Sequence, residues 1–514
     1  MKKEKKGIIP DVGLAAETLV KYKRQRTALE ARLAAEERVW KAVYEEGESS
    51  SWIFNSIVNM HADVIDSIPT CSCLPREKRD EQDAETLSSI IPVITERCVY
   101  EQVYSDNSWR KLKHGTALYG VFWNNALSDG TGDVDIRALS LEDGYWDSGC
   151  ADIQDSKSLF VVSTVDVEQT EALYPHFSYE EQRDADQRLS AGLGIGVGDG
   201  KALCVDWYYK RYGEDGRCIL HFCKFVGECV LYLSENDPSC GDGWYEHGQY
   251  PVVVDRLYPI EGQAVGFGLI SIASETQRYI NRIDRDLMAY TDWASRVRFW
   301  AKRSLGVNEK EFLDLDRSIV EVEGDIDEEK LRQIEITPID GSIVDVKRMK
   351  IDELKEITGS RDVSQGGVNG GVTAASAISI LREAGAKASR DGIAETYRAY
   401  IKVISLVIEL IRQFYDEERV FRIVGEDGGR SYVGYCGKRL RADEEGRRPF
   451  FDVEINATKK SPTEAEQKNR FAKELYDSGA FKAENVGETL LMLELMDFDG
   501  VDKLKASLRS GNGV

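Results

Sequence analysis

Apolar residues recur at spacings of three and four through Ile393, Tyr397, Tyr400, Ile401, Ile404, Val407, Ile408, Ile411 and Tyr415, which predicts a helix with one wide buried face. Upstream, Ala374, Ala375, Ala377, Leu381, Ala384, Ala386 and Ala388 favour the same helix, Thr373 is its N-cap, and no proline intervenes before Pro449. A helix of about forty residues is roughly 60 Å long and must span the molecule. Gly385 and Gly392 lie between its alanine-rich and apolar halves, where missing side chains weaken a helix interior, so a kink is expected there. Periodicity alone fits equally a long core helix behind a disordered loop.

Elsewhere the pattern is mixed. From Gly13 to about Glu46, Ala, Leu, Glu, Lys and Arg alternate as in a charged helix standing in solvent, with a docking role as the alternative. Ile53, Ile57, Met60, Val64 and Ile65 predict a helix that Pro69 stops, followed by helices over Glu81–Val103 and Trp109–Leu118. Strands follow around Val121–Trp123 and Val134–Ile136, joined through Asp129-Gly and Thr131-Gly turns. Alternation over Leu203–Tyr209, Arg217–Phe225 and Glu228–Leu233 predicts an antiparallel meander. A strand at Tyr250–Val254 precedes a helix from about Leu269 to Trp300, a short strand at Ser318–Val322 and a helix at Ile343–Thr358. Strands at Val420–Val424, Ser431–Tyr435 and Phe450–Ile455 surround an Asp427-Gly-Gly turn. Ser461-Pro-Thr-Glu464 caps a further helix, with others at Ala483–Leu495 and Val501–Leu508. The fold class is α+β.

At 514 residues the chain needs several subdomains. Its net charge of −23 argues against a clamp that neutralises phosphates with clustered cations, yet suits a surface past which DNA slides. Of ten cysteines only Cys71-x-Cys73 is a close pair, so free thiols in a reducing cytosol are expected and zinc is not. No apolar run reaches the roughly eighteen residues of a membrane span. The five histidines lie apart, H-E-x-x-H does not occur, and no general acid, base or cofactor is assigned. Glycines at 192, 194, 196, 198 and 200 suggest a phosphate cradle, but Ile195 stands where a Walker glycine is needed and Ala202 replaces its Ser or Thr, so a flexible loop is expected.

The order Ile357-Thr-Gly359, the uncharged loop Ser364-Gln-Gly-Gly-Val-Asn-Gly-Gly-Val372, Thr373-Ala374 and then the long helix resembles the tunnel loop and tunnel helix of tailed-bacteriophage portal proteins. Tyr250-Pro-Val-Val-Val254, Gly266-Phe-Gly268 and a helix bearing Gln277 and Asn281 are similar to the strand, turn and stem of that family, as is Leu141–Asp147 with the strand Leu159–Val162. The resemblance covers roughly Ser51 to Ala457. It implies a portal fold: an N-terminal helical arm (1–48), a wing (49–262), a first stem helix (263–300), a clip (301–341), a second stem helix (342–359), a tunnel loop (360–372), a kinked tunnel helix (373–418), wing return strands (419–457) and a small helical crown (458–514).

The function implied is a homo-oligomeric ring, of twelve subunits, at one vertex of the virion capsid. It would form the channel for packaging and ejecting double-stranded DNA, assembled in the host cytoplasm with capsid and scaffold proteins and no membrane. Ser364, Gln365, Gly366, Gly367, Asn369, Gly370, Gly371 and Val372 would face the DNA, touching it weakly and without sequence preference. Gln277 and Asn281 would belong to the stem, Gly385 and Gly392 to the tunnel-helix kink. Arg298, Lys302 and Arg303 would lie where the packaging terminase and later the tail adaptors dock. The alternatives are another ring-shaped connector or scaffold protein, and a nucleotide-binding enzyme.

Overall fold

The computed structural model describes residues 11–44, 50–213, 216–295, 299–301, 310, 331–333, 340–359, 387–424, 430–442, 446–456, 469–475, 489–490, 492–493 and 496. Two compact units divide the chain: Met1–Glu37, Ile57–Ser271 and Gly359–Val514 make the larger, Arg38–Ser56 and Ile272–Thr358 the smaller.

The stretch expected as one solvated helix folds as two, α1 (Val12–Gln25) and α2 (Thr27–Lys41). They part at Arg26, whose guanidinium turns inward, donates to Leu141 O at 2.7 Å and to Gly144 O, and lies 4.6 Å over the Tyr145 ring. α1 is no free arm, because Val12, Ala15, Leu19 and Tyr22 are buried in one cluster with Phe160, Leu203 and Val205. Their spacing of three and four was present in the sequence, masked by the charged residues between them.

After α3 (Trp52–Ile65) and β1 (Thr70–Pro75), α4 (Glu81–Arg97) and α5 (Tyr100–His114) divide their region differently from the expected helices at Glu81–Val103 and Trp109–Leu118. The break falls at Val99, whose φ of 51° is a left-handed conformation that β-branched residues rarely adopt and that no glycine announces. Pro92, by contrast, sits inside α4. β2 (Thr116–Asn124) and β3 (Asp133–Leu139) form the expected hairpin.

β4 (Gly144–Tyr145), β5 (Ser158–Asp166), β6 (Lys201–Tyr212), β7 (Cys218–Val226) and β8 (Cys229–Leu233) make an antiparallel sheet in that order, and its last three strands are the predicted meander. Between β5 and β6 lie α6 (Val167–Leu173) and α7 (Tyr179–Leu193). The glycine-rich stretch is only partly a loop: Gly192 is helical, Gly194 at φ 70° ends α7, and Ile195 and Val197 pack against the core. β9 (Val252–Arg256) pairs with β2, giving a second sheet of order β3-β2-β9.

β10 (Tyr258–Pro259) and β11 (Gly266–Phe267) form a short ladder that leads into α8 (Leu269–Ser295). α8 stops short of the expected Trp300, because β12 (Phe299–Ala301) pairs with β13 (Leu331–Gln333). Then come α9 (Ser342–Thr358), α10 (Lys387–Phe414), the hairpin β14 (Arg419–Val424) and β15 (Arg430–Tyr435), and β16 (Phe451–Asn456). β16 pairs with β1 from Thr70↔Asn456 to Pro75↔Phe451, which sets two strands from far-apart parts of the larger unit's sequence side by side. The strand expected at Ser318–Val322 and the Asp427 turn fall outside the described residues, as do most of the helices expected after Ser461.

The architecture is α+β, as the sequence implies, with antiparallel sheets throughout. The core of the larger unit gathers α4, α5 and α10 around β2 and β9: Tyr400, Ile404, Val407 and Ile411 of the predicted stripe are buried there, beside Val403, with Ile90, Tyr104 and Tyr119. Burying an isoleucine or valine side chain contributes about 1.5–3 kcal/mol relative to leaving it in water, so this stripe anchors the unit.

All ten cysteines are free. Cys73 is buried in β1, and burial pushes its thiol up to about 12, which keeps it unreactive.

Candidate functional site

In the smaller unit, Gln277 and Asn281 stand one turn apart on α8. The first N–H groups of a helix have no acceptor within it, and Gln277 supplies one to α3: its Oε1 accepts from Ile53 N–H at 3.1 Å. Its Nε2 donates to Asn281 Oδ1 at 2.7 Å and to Ser50 Oγ at 2.9 Å, and Ser50 N–H reaches Asn281 Oδ1 at 3.3 Å. Gln277 is 3% exposed, so it is a buried connector rather than a solvated amide. Replacing Gln277 with Leu strands the Ile53 N–H, withdraws the donor from Asn281 and Ser50, and is expected to cost about 1–3 kcal/mol, measured by urea unfolding. An unchanged midpoint would show that water caps α3 equally well.

Thr358 of the Ile357-Thr-Gly359 motif closes α9. Its hydroxyl lies 3.1 Å from Ser56 Oγ and 2.9 Å from Leu354 O, and Gly359 leaves the helix at φ 70°. α8 and α9 run antiparallel, since Lys347 pairs with Asp284 whereas Lys350, further along, lies 5.6 Å over the Tyr279 ring. Of the apolar positions predicted on α9, Leu354 is buried, but Ile343, Val346 and Met349 are exposed, Met349 at 69%, as is Met288 of α8 at 65%. An apolar stripe on an antiparallel helix pair thus remains without cover within the described chain.

In the larger unit, Gly392 lies inside α10, which is helical from Lys387 to Phe414 without interruption. Its carbonyl accepts from Lys111 Nζ at 2.8 Å. The same ammonium reaches Asp255 Oδ1 and Thr396 Oγ1, both at 2.6 Å, and the Thr396 hydroxyl donates to Asp255 Oδ2 at 2.9 Å. This buried cluster ties α5, β9 and α10 together at one point. Sequence reasoning missed it, and no local signal could have found it, because its members lie 144 and 285 residues apart.

The tunnel-loop residues Ser364–Val372, Gly385 and the cations Arg298, Lys302 and Arg303 lie outside the described residues.

The histidines have structural partners. His61 stacks on Trp109 with centroids 4.1 Å apart, and His114 Nδ1 lies 2.8 Å from Glu36 Oε2, whose other oxygen accepts from Ser271. In that group the carboxylate stands between serine and histidine, so the histidine cannot take the serine proton. Among the described residues no cluster of His, Cys, Asp and Glu could hold a metal ion, and no helix is long and apolar enough to cross a membrane.

A family model described as phage P22-like portal protein matches residues 53–225 and 220–514. The chain belongs to that family. The matched span begins inside α3 and runs to the last residue, so it takes in the α8–α9 pair, the Gly266-x-Gly268 turn and α10, while α1 and α2 precede it. No curated protein matches the chain. Membership gives this portal protein a structural role in a tailed-phage particle, and its α+β architecture is consistent with that assignment.

Proposed function

We propose that this portal protein closes into a ring of twelve copies at one capsid vertex and that double-stranded DNA passes along the ring axis during packaging and ejection. The supporting observation is the exposed stripe of Ile343, Val346 and Met349 on α9 beside Met288 on α8. Such a stripe on a helix pair gains most by packing against the next copy, and a heterologous contact repeated by rotation closes into a ring with an axial channel.

The loop Ser364–Val372 carries no charge and would meet DNA through polar and steric contact alone, which lets the polymer slide. Arg298, Lys302 and Arg303 would take the terminase, which supplies the energy of translocation, and later the tail adaptors. Capsid and scaffold proteins would surround the ring.

Negative-stain microscopy with light scattering on the same fraction tests the reading, and rings with a central hole are expected. Val346→Glu combined with Met349→Glu places two charges on the stripe and is expected to reduce the scattering mass to that of the protomer, with a thermal midpoint close to that of the unaltered chain. Rings of undiminished mass would remove α9 from the interface.

A further inference from the structure

β9 is an edge strand, since the sheet order is β3-β2-β9. Its inward hydrogen bonds are fixed by Val121 N–H to Pro251 O at 2.8 Å and Leu257 N–H to Gly115 O at 3.0 Å. In an antiparallel ladder bonded and unbonded pairs alternate, so residues 251, 253, 255 and 257 face β2, and the N–H and C=O groups of Val252, Val254 and Arg256 point away from it. Among the described residues no backbone group bonds to these three positions.

One position earlier in the same phase, the outward edge already has a surrogate partner. Tyr250 N–H donates to Gln154 Oε1 at 2.8 Å, and Gln154 Nε2 donates back to Tyr250 O at 3.1 Å. A side-chain amide here imitates the peptide group of a neighbouring strand. Beyond it, a cleft of about 470 Å³ runs along the edge, bounded by Gln154 on one side and Lys402 of α10 on the other. Lys210, Arg256 and Lys402 line it against a single carboxylate, Asp152.

We propose that an extended, acidic segment of a neighbouring copy of this chain adds to β9 as a fourth strand, continuing the pairing that Gln154 begins. The inference rests on the ring reading and names one of its interfaces. Edge addition supplies affinity through main-chain hydrogen bonds, so it needs an open edge in a fixed register, which Val254 and Arg256, both half-buried, provide, whereas Val252 is covered. Every copy carries 90 acidic against 67 basic residues, so a cationic cleft complements the charge its neighbour presents most often. A strand given by one copy to the next is heterologous, as closure of a ring requires.

Val254→Pro removes one outward N–H and leaves the β2 ladder intact, since proline is tolerated where an edge N–H has no partner in its own sheet. Lys402→Glu reverses a side chain that is 63% exposed and keeps the test decisive if the proline variant fails to fold. Full-length chain and both variants would be diluted in series and their mass followed by light scattering, with circular dichroism as the check on folding. The expected result is that the folded variants fall apart at a concentration about ten-fold higher than the unaltered chain. Variant rings as resistant to dilution as the unaltered chain would overturn this inference and leave the ring reading standing. A chain that stays monomeric without substitution would overturn the ring reading and this inference with it.

Discussion

Replacing Lys111 with Met is expected to lower the folding stability by about 3–5 kcal/mol, because it leaves a buried carboxylate without its cation. All three ammonium protons of Lys111 are used, on Asp255, Thr396 and Gly392, and Asp255 is 2% exposed. Burial pushes the Asp255 carboxyl above the ordinary carboxylate range, while Lys111 and Thr396 pull it back. Without the lysine the carboxyl rises further.

A folded-state pKa above the unfolded one contributes stability that is present at low pH and lost as pH climbs through the folded value. The deficit of the Met variant should therefore be smallest below about pH 4, the unfolded range of an aspartate, and grow toward neutrality. Urea unfolding at a series of pH values measures it. A deficit that stays constant from acid to neutral pH would mean that lost packing, and not the stranded Asp255, sets the cost. Adding Asp255→Leu should recover most of the loss, since removing both charges of a buried pair is far cheaper than removing one.

Gly268→Ala is expected to abolish soluble expression or to cost more than about 4 kcal/mol, the range reserved for steric conflict in the interior. A Cβ at Gly268 would lie 2.3 Å from Lys113 O and 2.6 Å from Gly115 N, and one at Gly115, itself at φ 78°, would lie 1.9 Å from Phe267 C. Gly266 is equally crowded, 2.4 Å from Tyr258 O. The end of α5 and the start of α8 meet here backbone against backbone, and neither can rotate aside as a side chain would. Gly262, at φ 74° with open space around it, is the comparison: its alanine variant should lose only about 1–2 kcal/mol, from the left-handed conformation alone. Equal solubility and equal urea midpoints for the two variants would show that the crossing has slack.

The same glycines mark how far the sequence could be read. Gly266-x-Gly268 stood out as a motif, but the reason for it, a crossing with Lys113 and Gly115, lies some 150 residues away along the chain. Resemblance singles out Gln277 and Asn281, whereas their partners are Ser50, just before α3, and Ile53 in its first turn, 224 residues earlier than Gln277 in the case of Ile53. The break at Val99 and the inward turn of Arg26 left no local mark at all: neither carries the glycine or proline that usually punctuates a chain.

What the sequence determined by itself is whatever a short window can encode. The three-and-four periodicity of α10, the alternation of β6 to β8 and the β2–β3 hairpin are properties of neighbouring residues, and each element formed where its pattern lay. The tertiary structure alone decided which distant pieces meet: β1 with β16, β9 with β2, α1 against the five-stranded sheet, and Lys111 with Asp255 and Thr396. Hydrogen bonding and burial are satisfied by any partner of suitable shape, so a strand or a lysine advertises its need for one without naming it. The choice is made by the packing of the whole chain at once.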